Sequence, residues 1–221
     1  MTPTTLNRTR RVVGTALAAA TLAAALSACA PLIVGGAVVG GVMAVDRRTA
    51  GTQIEDEGIE LRAANRIRET LGDRAHVNVT SYNRQALLTG EVATAQDRQA
   101  VEQMVSQVEN VRSVVNDLAV MPPSTLSQRS TDTFITGKVR ASLVDAQDIS
   151  ANSFKVVTER NTVYLMGRVS QREANRATDI ARGVTDVRKV VRVFEIVSEE
   201  ELRRIAPQPA PVTTDTKPAG G

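Results

Sequence analysis

The chain has a single histidine, His76, and a single cysteine, Cys29, among 221 residues. With one histidine neither a histidine metal cluster nor a Ser/His/Asp triad can be assembled, and His76 is expected as a surface residue at the start of a strand. One cysteine cannot close an internal disulfide, and there is no Cys-x-x-Cys pair. No glycine-rich loop leads into Lys-Ser/Thr, so a nucleotide cradle lacks support. The first apolar run, Val12 to Leu26, falls short of the ~20 residues a membrane span needs. Asp145 and Asp148 are close together without the ligand spacing of a calcium loop, which reads as a solvated turn. Dispersed carboxylates such as Glu91 and Glu159 are all that remains for acid/base chemistry. The expectation is a protein that is not an enzyme and holds neither metal nor bound cofactor.

The net charge of +3 is misleading for the same reason of distribution. Arg8, Arg10 and Arg11 form a basic start with no acidic residue before Cys29, so the rest of the chain carries 24 residues of each sign. A nucleic-acid partner is not expected. The basic start, the run Val12 to Leu26 and the small residues Leu26-Ser27-Ala28-Cys29 together read as an export signal. The last four resemble the bacterial lipobox. That resemblance implies cleavage before Cys29, a diacylglycerol and an N-acyl chain on Cys29, and, because Ala30 rather than Asp follows, the periplasmic face of the outer membrane. Pro31 to Val45 is apolar but broken by Gly35, Gly36, Gly40 and Gly41, which suits a membrane-proximal tether.

What the chain has in abundance is internal repetition. Ala86-Leu87-Leu88-Thr89-Gly90-Glu91-Val92 recurs as Val163-Tyr164-Leu165-Met166-Gly167-Arg168-Val169, and the order of elements around each copy is the same. In the first unit Ile59, Ala63, Ile67 and Leu71 mark a helix, His76 to Tyr82 and Ala86 to Val92 are strands, Gln96 to Val108 is a helix and Val111 to Val120 a strand. The second unit repeats this with a helix from Thr133 to Leu143, strands near 154–158 and 162–169, a helix from Arg172 to Gly183 and a strand from 187 to 197. The expected fold is α+β: two tandem αββαβ units, each a small mixed three-stranded sheet with two helices on one face. Boundaries follow at 1–28 for the signal, 29–56 for the tether, 57–121 and 129–197 for the units, 122–128 for a proline-containing linker and 198–221 for a proline-rich tail.

The Gly-x-Val strand ends, the alanine-rich helix after them and Val187-Arg188-Lys189-Val190 resemble the BON domain, a bacterial periplasmic module. The whole order, from lipobox to second unit, resembles the dual-BON outer-membrane lipoproteins. The resemblance implies support of envelope integrity, enrichment at division sites and an anionic phospholipid membrane as partner. Its rival is a protein-interaction module recruited to outer-membrane assembly or cell-wall remodelling proteins.

The residues themselves point to an asymmetry. From Ile59 to Val120 there are seven basic and eight acidic residues; from Arg129 to Val197 there are twelve and eight. Composition leaves two uses for this charge open, solvation of helix faces or contact with anionic headgroups. On the first helix of the second unit, Ile135, Val139 and Leu143 form the core stripe and Phe134 falls about 130° from its centre. Phe134, Ile135, Gly137, Lys138, Arg140 and Ala141 are therefore the candidate phospholipid-binding residues, with Phe134 either entering lipid or packing on the first unit or the linker. Aligned by the repeat, Phe134 falls on Arg62 and Ile135 on Ala63. The second unit is also expected to carry a loop five residues longer before its first strand.

Overall fold

The computed structural model describes residues 46–205; the export signal, Cys29, the glycine-rich stretch and the tail from residue 206 onward fall outside the described residues, while the first part of the expected tail, Glu199–Ile205, is helical. The first unit runs α1 (Ala50–Leu71), β1 (His76–Tyr82), β2 (Gln85–Val92), α2 (Ala95–Ser106), β3 (Ser113–Asn116) and β4 (Ala119–Val120). The second runs α3 (Leu126–Asp145), β5 (Lys155–Glu159), β6 (Thr162–Val169), α4 (Gln171–Arg182) and β7 (Lys189–Ile196), followed by the short helix α5 (Glu199–Ile205). In each sheet the first strand lies antiparallel to the second, and the last is parallel to the second. The α+β architecture expected from the sequence is present. The strand expected over 111–120 is divided, because Asp117 and Leu118 leave the ladder between β3 and β4, both of which pair with β2.

The repeated glycines sit where no side chain fits. A Cβ on Gly90 would lie 2.0 Å from the carbonyl oxygen of His76, and one on Gly167 would lie 2.4 Å from that of Ser153. Each clash is with the residue just before or at the start of the preceding strand, so one close approach is built twice. Both hairpins turn through two residues of positive φ, Asn83 and Arg84 in one and Arg160 and Asn161 in the other, the geometry of a two-residue type I′ connection. Neither contains glycine. Each is instead held by a buried helix aspartate: Asp56 accepts from the amides of Asn83 and Arg84, and Asp132 from those of Arg160 and Asn161.

These aspartates correct the helix alignment by one turn. Asp56 precedes Ile59, Ala63 and Ile67 as Asp132 precedes Ile135, Val139 and Leu143, and all eight are buried. Phe134 therefore corresponds to Gly58, not Arg62, and Ile135 to Ile59, not Ala63. Lys138 corresponds to Arg62. The longer loop expected in the second unit is present: residues 72–75 join α1 to β1, whereas residues 146–154 join α3 to β5, five more, and in the corrected register α1 runs two residues further than α3. Both first helices also begin earlier than expected. Thr49 caps α1 and Thr125 caps α3 in a capping box with Gln128, so their opening turns are fixed by polar caps that an apolar periodicity does not register.

Each unit has its own core between helices and sheet, one around Ile59, Leu88 and Val101, the other around Ile135, Leu165 and Ala177. The opposite sheet faces close on each other through Tyr82, Leu87, Tyr164, Met166 and Val193. The layers run helices, sheet, sheet, helices. Polar bonds ring this contact: Lys155 donates to Glu60 at 2.7 Å, the Tyr164 hydroxyl to Asp117 at 2.6 Å, and Arg112 to Glu195 at 3.1 Å. With the sheets turned inward, α3 is presented outward.

Candidate functional site

Helix α3 is held to its sheet by Ile135, Val139 and Leu143, none more than 1% exposed. Ile135 is thus structural and cannot reach a ligand, a correction to its place among the candidate binding residues. Phe134 is 67% exposed and does not pack on the first unit. Gly137, Arg140 and Ala141 are exposed beside it, and nothing stands within 4 Å of where a Gly137 side chain would begin. Sequence reasoning missed two members of this face, Leu126 at 80% and Val144 at 68% exposed. They are eighteen residues apart, five full turns, and so share one line along the helix. The signal was in the same 100° wheel, but the helix had been placed from 133 to 143 and both lay beyond its ends.

Three hydroxyls on α3 are satisfied within the helix. Ser130, Thr131 and Thr133 donate to the carbonyls of Leu126, Ser127 and Arg129. Those donors need no water, so covering them costs little. The only acidic residues of α3 are Asp132, turned inward to its hairpin, and Asp145 at the last position. A strip from Leu126 through Phe134, Gly137 and Ala141 to Val144 is therefore apolar or self-satisfied, with one exposed carboxylate, Asp145, at its C-terminal end.

The two cations differ. Lys138 reaches back to the turn before β7, donating to the Thr185 carbonyl at 2.8 Å and to Asp186 at 2.7 Å, with its ammonium 5.0 Å from the Phe134 ring centroid. Arg62 makes the equivalent bond in the first unit, to the carbonyl of Glu109. Lys138 is thus partly scaffold, and its ammonium props the aromatic ring. Arg140 makes no ion pair among the described residues. It lines a recess of about 370 Å³ with Asp46, Val144 and Phe154. That recess marks where the chain enters the described region, and Asp46 stands beside the C-terminal half of α3.

From there the chain is strapped to both units. Arg47 forms two bonds to Glu173, at 2.7 and 2.8 Å, and one to the Arg168 carbonyl. Arg48 bonds Asp46 and Asp56 and lies 4.2 Å over the Tyr82 ring. Burial works to raise the Glu173 carboxyl, but Arg47 and the Ser170 amide outweigh it and hold it below the usual carboxylate range.

The outward face of α1 is the counterpart in the first unit. Ile54 and Leu61 are exposed there, but α1 carries five acidic and three basic residues, against two and three on α3. The other sequence candidates fare differently. Asp148 is engaged by Arg176 at 2.9 Å, an ion pair rather than a cation loop. His76 is at the start of β1 as expected, yet half-buried against Glu91 rather than free on the surface. No helix of the described residues is long and apolar enough to cross a membrane.

The BON domain profile matches residues 56–122 and 131–198. The outer membrane lipoprotein DolP of Haemophilus influenzae is 35% identical over 172 residues, covering 77% of this chain and 89% of that protein. A 21 kDa hemolysin of Actinobacillus pleuropneumoniae is 32% identical over 155 residues, covering 69% of this chain and 80% of the other. Among solved structures, CdsD, a structural protein of the type III secretion system of Chlamydia trachomatis, matches with 14% identity and a TM-score of 0.28 over 72% of this chain and 99% of that one.

Proposed function

This chain belongs to the BON-domain family, and on that premise we propose that it is a non-enzymatic lipoprotein of the bacterial outer membrane, anchored through Cys29, that docks on anionic phospholipid by the outward face of α3. The anchor and location rest on the lipobox-like residues and on likeness to a relative named as an outer membrane lipoprotein. The docking rests on one observation above others: α3 presents Leu126, Phe134 and Val144 on a face whose one exposed carboxylate is the terminal Asp145, with Arg140 beside them in no ion pair among the described residues. Burying the Phe134 ring contributes ~1.5–3 kcal/mol. Arg140 near an anionic surface adds about 1 kcal/mol. Asp46 beside Arg140 and Val144 supports the same orientation, because a tether that starts at Cys29 delivers the chain next to this helix. Support of envelope integrity and enrichment at division sites complete the proposal.

The test is sedimentation with vesicles containing phosphatidylglycerol, compared with neutral vesicles. Phe134→Ala combined with Arg140→Glu is expected to weaken binding by one to two orders of magnitude, following from about 1.5–3 kcal/mol. Unchanged binding to anionic vesicles would show the docking face to be elsewhere. Lys138 is a poor substitute for Arg140 in this test, because its loss also frees Asp186.

A protein-binding role is favoured at a different place. Ile54 and Leu61 on the acidic helix α1 suit a protein partner with apolar and basic groups rather than an anionic bilayer. Photo-crosslinking from position 54 should then give one dominant protein adduct, and from position 134 lipid adducts.

A further inference from the structure

Glu91 and Glu159, dispersed in the sequence, meet across the contact between the two sheets, together with the chain's only histidine. One ligand atom from each of His76, Glu91 and Glu159 lies within 4.8 Å of the other two. Two come from the first unit and one from the second. We propose that His76, Glu91 and Glu159 bind a divalent transition metal of the zinc class, which clamps the two units together at the edge of their shared interface.

Ligands at ~2.0–2.1 Å around tetrahedral zinc stand ~3.4 Å apart, so side-chain rotation of little more than an ångström closes the set. The His76 Nδ1 is already 3.0 Å from Glu91 Oε2, and the ion would enter by opening that contact. One imidazole nitrogen with two carboxylate oxygens suits zinc, whereas magnesium and calcium favour oxygen throughout. A recess of about 350 Å³, lined by His76, Asn78, Asp132, Thr133 and Glu159, gives access and room for water at the remaining position.

The charges around the site leave a cation missing. Glu159 is 4% exposed, yet among the described residues its carboxylate has one hydrogen bond, from the Asn78 amide at 2.9 Å, and no ion pair with Lys or Arg. A buried carboxylate is costly unless paired. Two cations stand near: Arg129 lines the same recess but donates to the Ser124 hydroxyl, and Arg160 competes directly for Glu91. Its Nη1 donates to Glu91 Oε1 at 3.0 Å and to the Gly90 carbonyl at 2.8 Å, and the Ser124 amide takes Glu91 Oε2 at 3.0 Å. A carboxylate offers about four lone-pair sites, so Glu91 can keep both bonds and ligate.

Occupancy would tighten α3 as well as the interface. Glu159 adjoins the hairpin whose amides bind Asp132, and the neighbouring Thr158 accepts from Thr136 of α3 at 2.7 Å. The proposal is independent of membrane docking.

The experiment is calorimetric titration of zinc chloride into the full chain in detergent, without an affinity tag, followed by NMR of its single imidazole. One ion per chain, with a shift of the His76 ring signals and no shift with magnesium, is the expected result. Glu159→Gln keeps the Asn78 bond, and it and His76→Gln should each weaken zinc binding at least tenfold while circular dichroism is unchanged. Absence of one-to-one binding, a His76 signal that does not move, or wild-type affinity in Glu159→Gln would each overturn the proposal. The wild-type NMR arm decides the matter even if a variant fails to fold.

Discussion

Asp56 shows how a single buried side chain fixes a local structure. Its carboxylate accepts from Ser81 Oγ at 2.7 Å, from the amides of Asn83 and Arg84, and from Arg48 at 2.8 Å. Burial alone would raise this group; those donors outweigh it, so it is held below its ordinary value. Its contribution is therefore present above the unfolded pKa of ~3.9 and is lost as pH falls through the lower folded value. Asp56→Asn should cost about 1–3 kcal/mol at pH 7 in urea denaturation, since amide hydrogens then face amide donors. The deficit should shrink near pH 3. An equal deficit at both pH values would mean the charge is not what matters. The glycines give a graded series. Gly167→Ala meets the Ser153 carbonyl and should lose about 1–3 kcal/mol, and Gly90→Ala should lose more because its φ is also +111°. Gly137→Ala, in open space on a helix, should gain about 0.5–1 kcal/mol. Thermal denaturation of the three variants ranks them.

At the scale of the element, α1 and α3 are the same helix put to different ends. Both carry a buried aspartate and three core residues in one spacing, and both bond the turn before the last strand through a cation. They differ on the face that packing leaves free. Leu126→Ser with Val144→Ser on α3 should reduce binding to anionic vesicles about tenfold while leaving the melting temperature within a degree or two, because neither residue is packed. Ile54→Ser with Leu61→Ser on α1 should leave vesicle binding unchanged. If both pairs reduce it equally, binding is not specific to the second unit.

The described residues, 46–205, are expected to unfold as one cooperative body, since the two sheets bury their second faces in each other. Units of this size are marginal alone, and the shared layer of Tyr82, Leu87, Tyr164, Met166 and Val193 supplies what each lacks. Leu87→Ala removes a fully buried side chain from that layer and should cost about 2–5 kcal/mol. The expected calorimetric scan is a single transition at a lower temperature. Two separated transitions would show that the units are coupled too weakly for the loss to be shared.

The sequence by itself determined the repeat, the order of elements and the α+β class, because strand alternation, helix spacing and the twin glycines are local patterns that survive without neighbours. It also placed Phe134 off the core, from helical geometry alone. It erred by one turn in aligning the first helices, since apolar spacing repeats every turn and only the contact from Asp56 and Asp132 to their hairpins fixes the register. It took Lys138 as a phospholipid-binding residue and His76 as a surface residue for the same reason: what each touches is distant in sequence, Thr185 and Asp186 47 and 48 residues from Lys138, and Glu91 15 residues from His76 across a hairpin. The tertiary structure alone decided that the sheets pack face to face, which turns α3 outward beside Asp46 and brings His76, Glu91 and Glu159 to one point. Such placements depend on how two surfaces meet in space, and no periodicity along a chain encodes that.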